Sequence, residues 1–235
     1  MQTGEISIER AIKSAWESMK RCPVEAILGY LIYSYAGGFL IILCCLAPFA
    51  IFPLAGGFAM LYLRIARGEK ADLMDLFAGF KDYWKWMGLM SLFMLGFLAC
   101  LIPAGIGIAV SAFVLDPMRK AAGGSSADAI VIGMVLLIIF GVLVSLLALI
   151  ILSIRWFFVL FAGADGAGAI ESFERSVRMA RGHYAMLFLV WLISNVAAGI
   201  ASLMTMGFGV YFAYPIIMLA YAHIYLDLKP SIEGA

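Results

Sequence analysis

The side chains able to do polar chemistry in this chain are few, and they sit at the edges of long apolar runs. Arg155 is the single charge between Ile130 and Ala162, a run of 33 residues. Asp165 follows it, and Arg175 and Arg178 stand on the charged segment beyond. A guanidinium so placed binds a carboxylate or a phosphate through its planar fork. At the middle of a bilayer an Arg costs about 2.5–3.5 kcal/mol on insertion scales. Arg155 therefore has two readings. It snorkels to the interface beside Trp156 with its stem in lipid, or it faces the bundle and pairs with Asp165 or a lipid phosphate. Lys20 and Arg21 offer the same head-group contact near the start of the chain. His223 lies among Tyr211, Tyr214, Tyr221 and Tyr225, with Asp227 one helical turn on. A proton relay needs further ionisable groups at depth, which no other run supplies, so His223 reads as an interfacial hydrogen-bonding group. Asn195, Ser194, Tyr30, Tyr33, Ser34 and Tyr35 read as hydrogen-bonding between helices.

Nothing in the chain groups a nucleophile with a base, pairs two carboxylates for acid–base work, or spaces Cys and His as metal ligands. Gly166 and Gly168 follow Asp165 but lack the strand and spacing of a nucleotide loop. Cys22, Cys44, Cys45 and Cys100 read as small apolar packing residues. The expectation is a protein that is not an enzyme, with no metal and no cofactor. A net charge of +1 argues against a nucleic-acid partner.

The elements that position these residues follow from hydropathy. Apolar residues make up 65% of the chain and charged residues 13%, against roughly 45–50% and 25% in ordinary soluble domains. Lipid must be the solvent for most of that surface. The first apolar run starts only at Val24, behind a charged segment, and continues too long for a cleavable signal. Uncharged runs cover 26–63, 87–115, 129–154 and, but for His223, 184–226. At about 20 residues per crossing they divide into six spans, near 24–45, 48–66, 87–115, 130–154, 184–205 and 208–226. Pro48 and Pro53 with Cys44 and Cys45 mark the first turn, a polar outer loop fills 116–128, and Met206-Gly207-Phe208-Gly209 makes the last turn. Of 16 Lys and Arg residues, only Arg119 and Lys120 fall on the outer side of that topology. Lys and Arg are retained on the cytoplasmic side, so both termini are expected inside, in a bacterial inner membrane. The expected fold is a single all-α membrane domain over 1–235.

Three amphipathic segments precede the hairpins, at 7–21, 72–86 and 169–183. The first lines up Ile8, Ala11, Ile12, Ala15, Trp16 and Met19, with Glu9–Lys13 and Glu17–Arg21 as i,i+4 pairs. The second follows an Asp72 cap and sets Leu73, Leu76, Phe77, Phe80 and Trp84 on one face. The third aligns Ile170, Phe173, Val177 and Ala180, with Glu171–Arg175 and Glu174–Arg178 as pairs. Apolar stripe, cationic flank and aromatic residues describe helices lying in the membrane interface. The order of surface helix, span, turn and span suggests an internal repeat. A shift of 162 matches Ile8-Glu9 to Ile170-Glu171 and Ser14 to Ser176. Gly37-Gly38, Gly56-Gly57, Gly105 and Gly107 permit close helix approach, and Pro103 is placed to break the third span.

The stretch from Pro53-Leu-Ala-Gly-Gly57 through Arg67-Gly-Glu-Lys70 to Asp75-Leu-Phe-Ala-Gly-Phe80 resembles uncharacterised bacterial multi-span membrane families. These are related to the membrane domain fused to glycerophosphodiester phosphodiesterases. The resemblance returns at Ile154-Arg155-Trp156, Asp165, Ala169-Ile170, Ser176 and Arg181-Gly182, and loosely at Pro215 and Tyr221. It implies the fold and gives no warrant for phosphodiesterase activity, since the chain is expected to be used up by the membrane part. The expected role is a membrane-organising or accessory protein whose cytoplasmic collar engages lipid head groups, a membrane-protein partner or a second copy. The alternative is a small transporter or channel for an amphiphilic or lipid-like molecule.

Overall fold

A computed structural model of the chain describes the backbone of residues 8–42 and 47–230, and the side chains of 8–36 and 49–230. The described residues are helical with no strand. Five helical stretches among them are long and apolar enough to cross a membrane: Phe49–Arg67, Tyr83–Ala121, Ser125–Ala164, Tyr184–Met204 and Val210–Leu228. Two compact units divide the chain, one of Met1–Met90 with Ile154–Ala235 and one of Ser91–Ser153.

In the larger unit, α1 (Ile8–Arg21) is followed by α2 (Pro23–Ile42) and α3 (Ala47–Arg67). Pro23 can open α2 because the first helical N–H groups need no intrahelical acceptor. Pro53 lies inside α3 rather than in a turn, and Cys44 and Cys45 lie outside the described residues. The segment expected as an α-helix over 72–86 is instead a 3-10 helix, Leu73–Phe80, leading into α4 (Tyr83–Cys100). The reason is its docking on α3. A Cβ at Gly57 would strike the Leu76 carbonyl, and one at Gly79 the Pro53 carbonyl. Three residues per turn puts positions 73, 76 and 79 in one line, so Leu76 and Gly79 are buried along α3. The same period turns Met74, Phe77 and Phe80 outward.

α1 is equally divided. Ala11, Ala15, Ser18 and Met19 are buried, and α1 packs on α11 (Val210–Leu228). Ile12 and Trp16, from the same expected stripe, are exposed. Neither Glu9–Lys13 nor Glu17–Arg21 closes as an ion pair among the described residues, whereas Lys20 Nζ lies 5.6 Å over the Trp16 ring.

A core of Ala55, Trp86, Leu89, Met90 and Val159 joins α3, α4 and α8 (Val159–Ala164). A Cβ on Gly56 would fall on the Trp86 ring, and one on Gly163 would crowd Leu89 and Trp86. Between lipid-bathed helices the hydrophobic effect supplies little, so close packing over small residues carries the association.

The smaller unit uses the same device. α5 (Ile102–Val110) begins at a break after α4 and passes through a π turn, Ser111–Leu115, into α6 (Asp116–Ala121). Pro103, in the first turn of α5, cannot donate to the preceding turn. The adjacent Ala104 N–H finds Ser145 Oγ at 3.1 Å, from α7 (Ser125–Arg155). Further along α5, a Cβ on Gly107 would come within 3.1 Å of the Leu137 carbonyl, and Ser111 Oγ donates to the Met134 carbonyl at 3.5 Å. A Cβ on Gly141 would come within 2.7 Å of the Pro103 carbonyl. The outer loop expected over 116–128 shrinks to three residues between α6 and α7. Asp116 bonds Arg119 at 2.9 Å and Lys120 at 2.7 Å, so its polar residues close a helical turn behind Pro117.

α9 (Ala169–Ala180) and α10 (Tyr184–Met204) complete the larger unit, and the turn at Met206 and Gly207, both with positive φ, leads into α11.

Candidate functional site

The 33-residue run does not continue as one helix. α7 ends at Arg155 and α8 restarts at Val159. Ser176 of α9 bridges the break: its Oγ donates to the Arg155 carbonyl at 2.9 Å and accepts from the Phe158 N–H at 3.1 Å. Two backbone groups freed by the interruption are thus satisfied by one buried hydroxyl. The Arg155 side chain is exposed. Of its two readings, pairing with Asp165 does not occur.

Asp165 is instead the centre of a joint between three chain segments. It caps the C-terminus of α8, with its side chain 6% exposed. One carboxylate oxygen accepts from Arg67 Nη2 at the end of α3. The other accepts from Lys229 Nζ at 2.7 Å and from the Tyr225 hydroxyl at 2.9 Å, both on or just beyond α11. Burial pushes this carboxyl upward, but the bonds from Lys229, Tyr225 and Arg67 outweigh it and hold it below the usual carboxylate range. Two cations and a phenol around one acid hold it as a carboxylate, and the joint clamps three chain segments together.

The clamp stands on a turn that occurs twice. Gly68, with φ +73°, follows Arg67, and Gly166, with φ +99°, follows Asp165. Each is followed by an extended cap and an acid three residues beyond it. Asp75 Oδ2 accepts from the Asp72 N–H at 3.0 Å, and Glu171 Oε2 from the Gly168 N–H at 3.2 Å. Each acid also takes an Arg, Arg64 on Asp75 at 2.6 Å and Arg175 on Glu171 at 2.7 Å. The Gly168 N–H and then Arg175 keep Glu171 below its ordinary range. The expected Glu174–Arg178 pair is not formed. Arg175 is thus committed within α9, and Arg178 and Arg181 have no hydrogen-bonded partner among the described residues.

His223 meets Ser18 of α1, 2.9 Å from Oγ to Nε2, rather than Asp227. It is a docking contact for α1. Asn195 Nδ2 donates to the Trp191 carbonyl of its own helix at 2.7 Å, which corrects the expected interhelical bond. Ser194 lies across from Tyr221 of α11 in the lining of one cavity. Lys20 and Arg21 are exposed at the end of α1. Sequence reasoning missed Arg67, Tyr225 and Lys229. Charge counting puts Arg67 and Lys229 on one membrane face, but no sequence period says that they meet at Asp165. Among the described residues no group of His, Cys, Asp or Glu converges as a metal site.

Described residues that are helical throughout, with five helical stretches fit to cross a membrane, have the construction of an integral membrane protein. Residues 24–227 match the family described as Domain of unknown function (DUF7847), and the chain belongs to that family. The match carries no link to the membrane domains fused to phosphodiesterases. No curated protein and no solved structure matches the chain.

Proposed function

We propose that the protein is a non-catalytic membrane-organising or accessory protein of six spans, with both termini cytoplasmic, whose cytoplasmic-side segments engage the lipid head-group layer. In this reading α2, 20 residues long, is the first span, and the charge asymmetry of the sequence sets the orientation. The observation that carries it is the outward ridge of the 3-10 helix. Met74, Phe77 and Phe80, with Trp84 beside them, are 69%, 48%, 41% and 82% exposed. The ridge adjoins the first turn of spanning helix α4, and exposed Lys70 and Lys81 flank it. Of the acids in the segment, Asp72 faces the Met74 N–H and Asp75 faces Arg64, while Asp82 is exposed beside Lys81. An apolar ridge with a cationic flank suits the boundary of acyl chains and head groups.

The test is a nitroxide at Phe77→Cys in full-length protein with its four native cysteines replaced, reconstituted in vesicles of phosphatidylcholine and phosphatidylglycerol. Seating in the lipid gives spin relaxation dominated by oxygen over a water-soluble nickel chelate. Dominance of the nickel chelate would place the ridge in water and remove the reading.

A second reading, a small carrier for a lipid-like molecule, is supported by the break at Leu101–Pro103 and the π turn beyond it, since interrupted spans can frame transport sites.

A further inference from the structure

Between α10 and α11 lies a cavity of about 150 Å³ lined by Trp191, Ser194, Asn195, Tyr214, Ile217, Met218 and Tyr221. On α10 its lining lies roughly 10 Å or more from either helix end at 1.5 Å per residue, which is the middle depth of a spanning helix. Polar groups at that depth are costly unless something answers them. Ser194 and Tyr221 share that lining. Asn195 gives one amide hydrogen to Trp191, and its second hydrogen and its carbonyl oxygen have no partner among the described residues. The Tyr214 hydroxyl has none either, although its ring is fixed by stacking on Tyr30, centroids 5.3 Å apart and planes 11° apart. None of the lining residues carries a formal charge.

We infer that this pocket binds a neutral, ring-headed lipid of the phenol or quinone type, held by Asn195 and Tyr214, with its tail leaving into the bilayer. The size fits: a cavity of this volume in a protein core holds one benzene ring. Absence of charge in the lining selects an uncharged head, because an ion here would be desolvated without a counter-ion. Two hydrogen-bonding groups left free in the lining select a head with a hydroxyl or carbonyl over a bare hydrocarbon. A concave site fits a ring better than it fits a partner helix, which would leave the hollow empty beneath it. The inference goes beyond the proposed role and rests only on α10 and α11 crossing the bilayer.

The experiment uses full-length protein in phosphatidylcholine nanodiscs, with tritiated 4-octylphenol as the probe and empty discs subtracted. Octylbenzene, which lacks the hydroxyl, and 1-dodecanol, which lacks the ring, are the competitors. The expected result is saturable binding of one probe per chain, with both competitors at least about tenfold weaker. Asn195→Leu and Tyr214→Phe should each weaken binding about fivefold or more, the scale of one hydrogen bond. Tyr214→Phe keeps the stacked ring, so it reports on the hydroxyl even if Asn195→Leu does not assemble. Binding no greater than to empty discs, or equal competition by octylbenzene, would overturn the proposal. So would a wild-type dimer that Asn195→Leu turns into a monomer in native mass spectrometry, since the amide would then face a second copy. The Phe77 spin-label measurement is independent of all these outcomes, so failure of one reading is distinguishable from failure of the other.

Discussion

The turn after α3 and the turn after α8 use the same parts and yield different helices. Both place a charged residue before a glycine of positive φ, then an extended cap, then an acid that reaches back to the cap N–H and holds an Arg. After Gly68 the chain winds as a 3-10 helix, and after Gly166 as an α-helix. What separates them is the surface each must meet. The first lies against backbone, glycine to carbonyl, along one line of α3, and a three-residue repeat keeps Leu76 and Gly79 on that line. The second buries Ser172, Ser176, Met179 and Ala180, spaced four, three and one residues apart as a 3.6-residue repeat requires. Turn chemistry sets where a helix starts, and the docking surface sets how it winds. The residues before the two glycines, Arg67 and Asp165, then bond to each other, so the two copies of the turn are joined at equivalent positions.

The comparison breaks most easily at Gly57. Gly57→Ala puts a methyl group into the Leu76 carbonyl, and backbone cannot yield as a flexible side chain would. The expected loss is about 2–4 kcal/mol, at and above the usual range for overpacking, read as a fall in the unfolding temperature in detergent. Gly168→Ala in the second turn has nothing within 4 Å of the new methyl group and should leave stability unchanged within about 0.5 kcal/mol.

Next in size is the joint. Asp165→Asn strips the charge that faces Arg67 and Lys229, whose side chains are 30% and 29% exposed. Breaking a fully buried pair costs about 3–5 kcal/mol, and the partial solvation of both cations brings the expected loss to about 2–3 kcal/mol. Because the folded-state carboxyl is held below its ordinary value, its contribution is complete above about pH 4 and is lost as pH falls through the lower folded-state value. Wild type should therefore lose stability with acid below pH 4, and Asp165→Asn should lose less over the same range. Arg67→Asp combined with Asp165→Arg should recover part of the loss if the two turns are joined mainly by that pair. No recovery would mean that Lys229 and Tyr225 dominate.

How much of this was legible in the sequence depends on whether the signal was local. Uncharged runs located the spans that the structure supports, whereas the paired turns after Gly68 and Gly166 were not read from the sequence. Winding was not legible, since Leu73, Leu76, Phe77, Phe80 and Trp84 fit an α-helical face on paper. Only contact with Gly57 shows that 76 and 79 go one way and 77 and 80 the other. The polar stretch from Asp116 reads as a loop because each residue is loop-like taken singly, whereas together they pair within one helical turn. At the candidate site, Asp165 and Ser176 stood out in sequence. Their partners did not, because Arg67, Tyr225, Lys229 and the Arg155 carbonyl come from distant segments. Arg155 drew notice by being a lone charge, and its carbonyl turns out to hold more of the structure than its guanidinium.

The finest distinction between the turns lies in their caps. Asp72 has a side chain that accepts from the Met74 N–H at 3.1 Å, while Gly168 has none, and Ser172 Oγ instead donates to the Gly168 carbonyl at 2.7 Å. Asp72→Ala should therefore cost about 1 kcal/mol, the usual effect of removing a cap. Asp75→Asn and Glu171→Gln test the shared half of the motif. Each keeps an oxygen able to accept from the cap N–H but loses the charge facing Arg64 or Arg175. With Arg64 46% exposed and Glu171 47% exposed, solvent screens both pairs, and each change should cost under about 1 kcal/mol. Equal small losses at 75 and 171 beside unequal losses at 72 and 168 would confirm two turns of one design with different first caps. A larger loss at 75 than at 171 would instead show that the acid of the first turn helps hold the 3-10 helix against α3, so that turn chemistry and docking are not separable there.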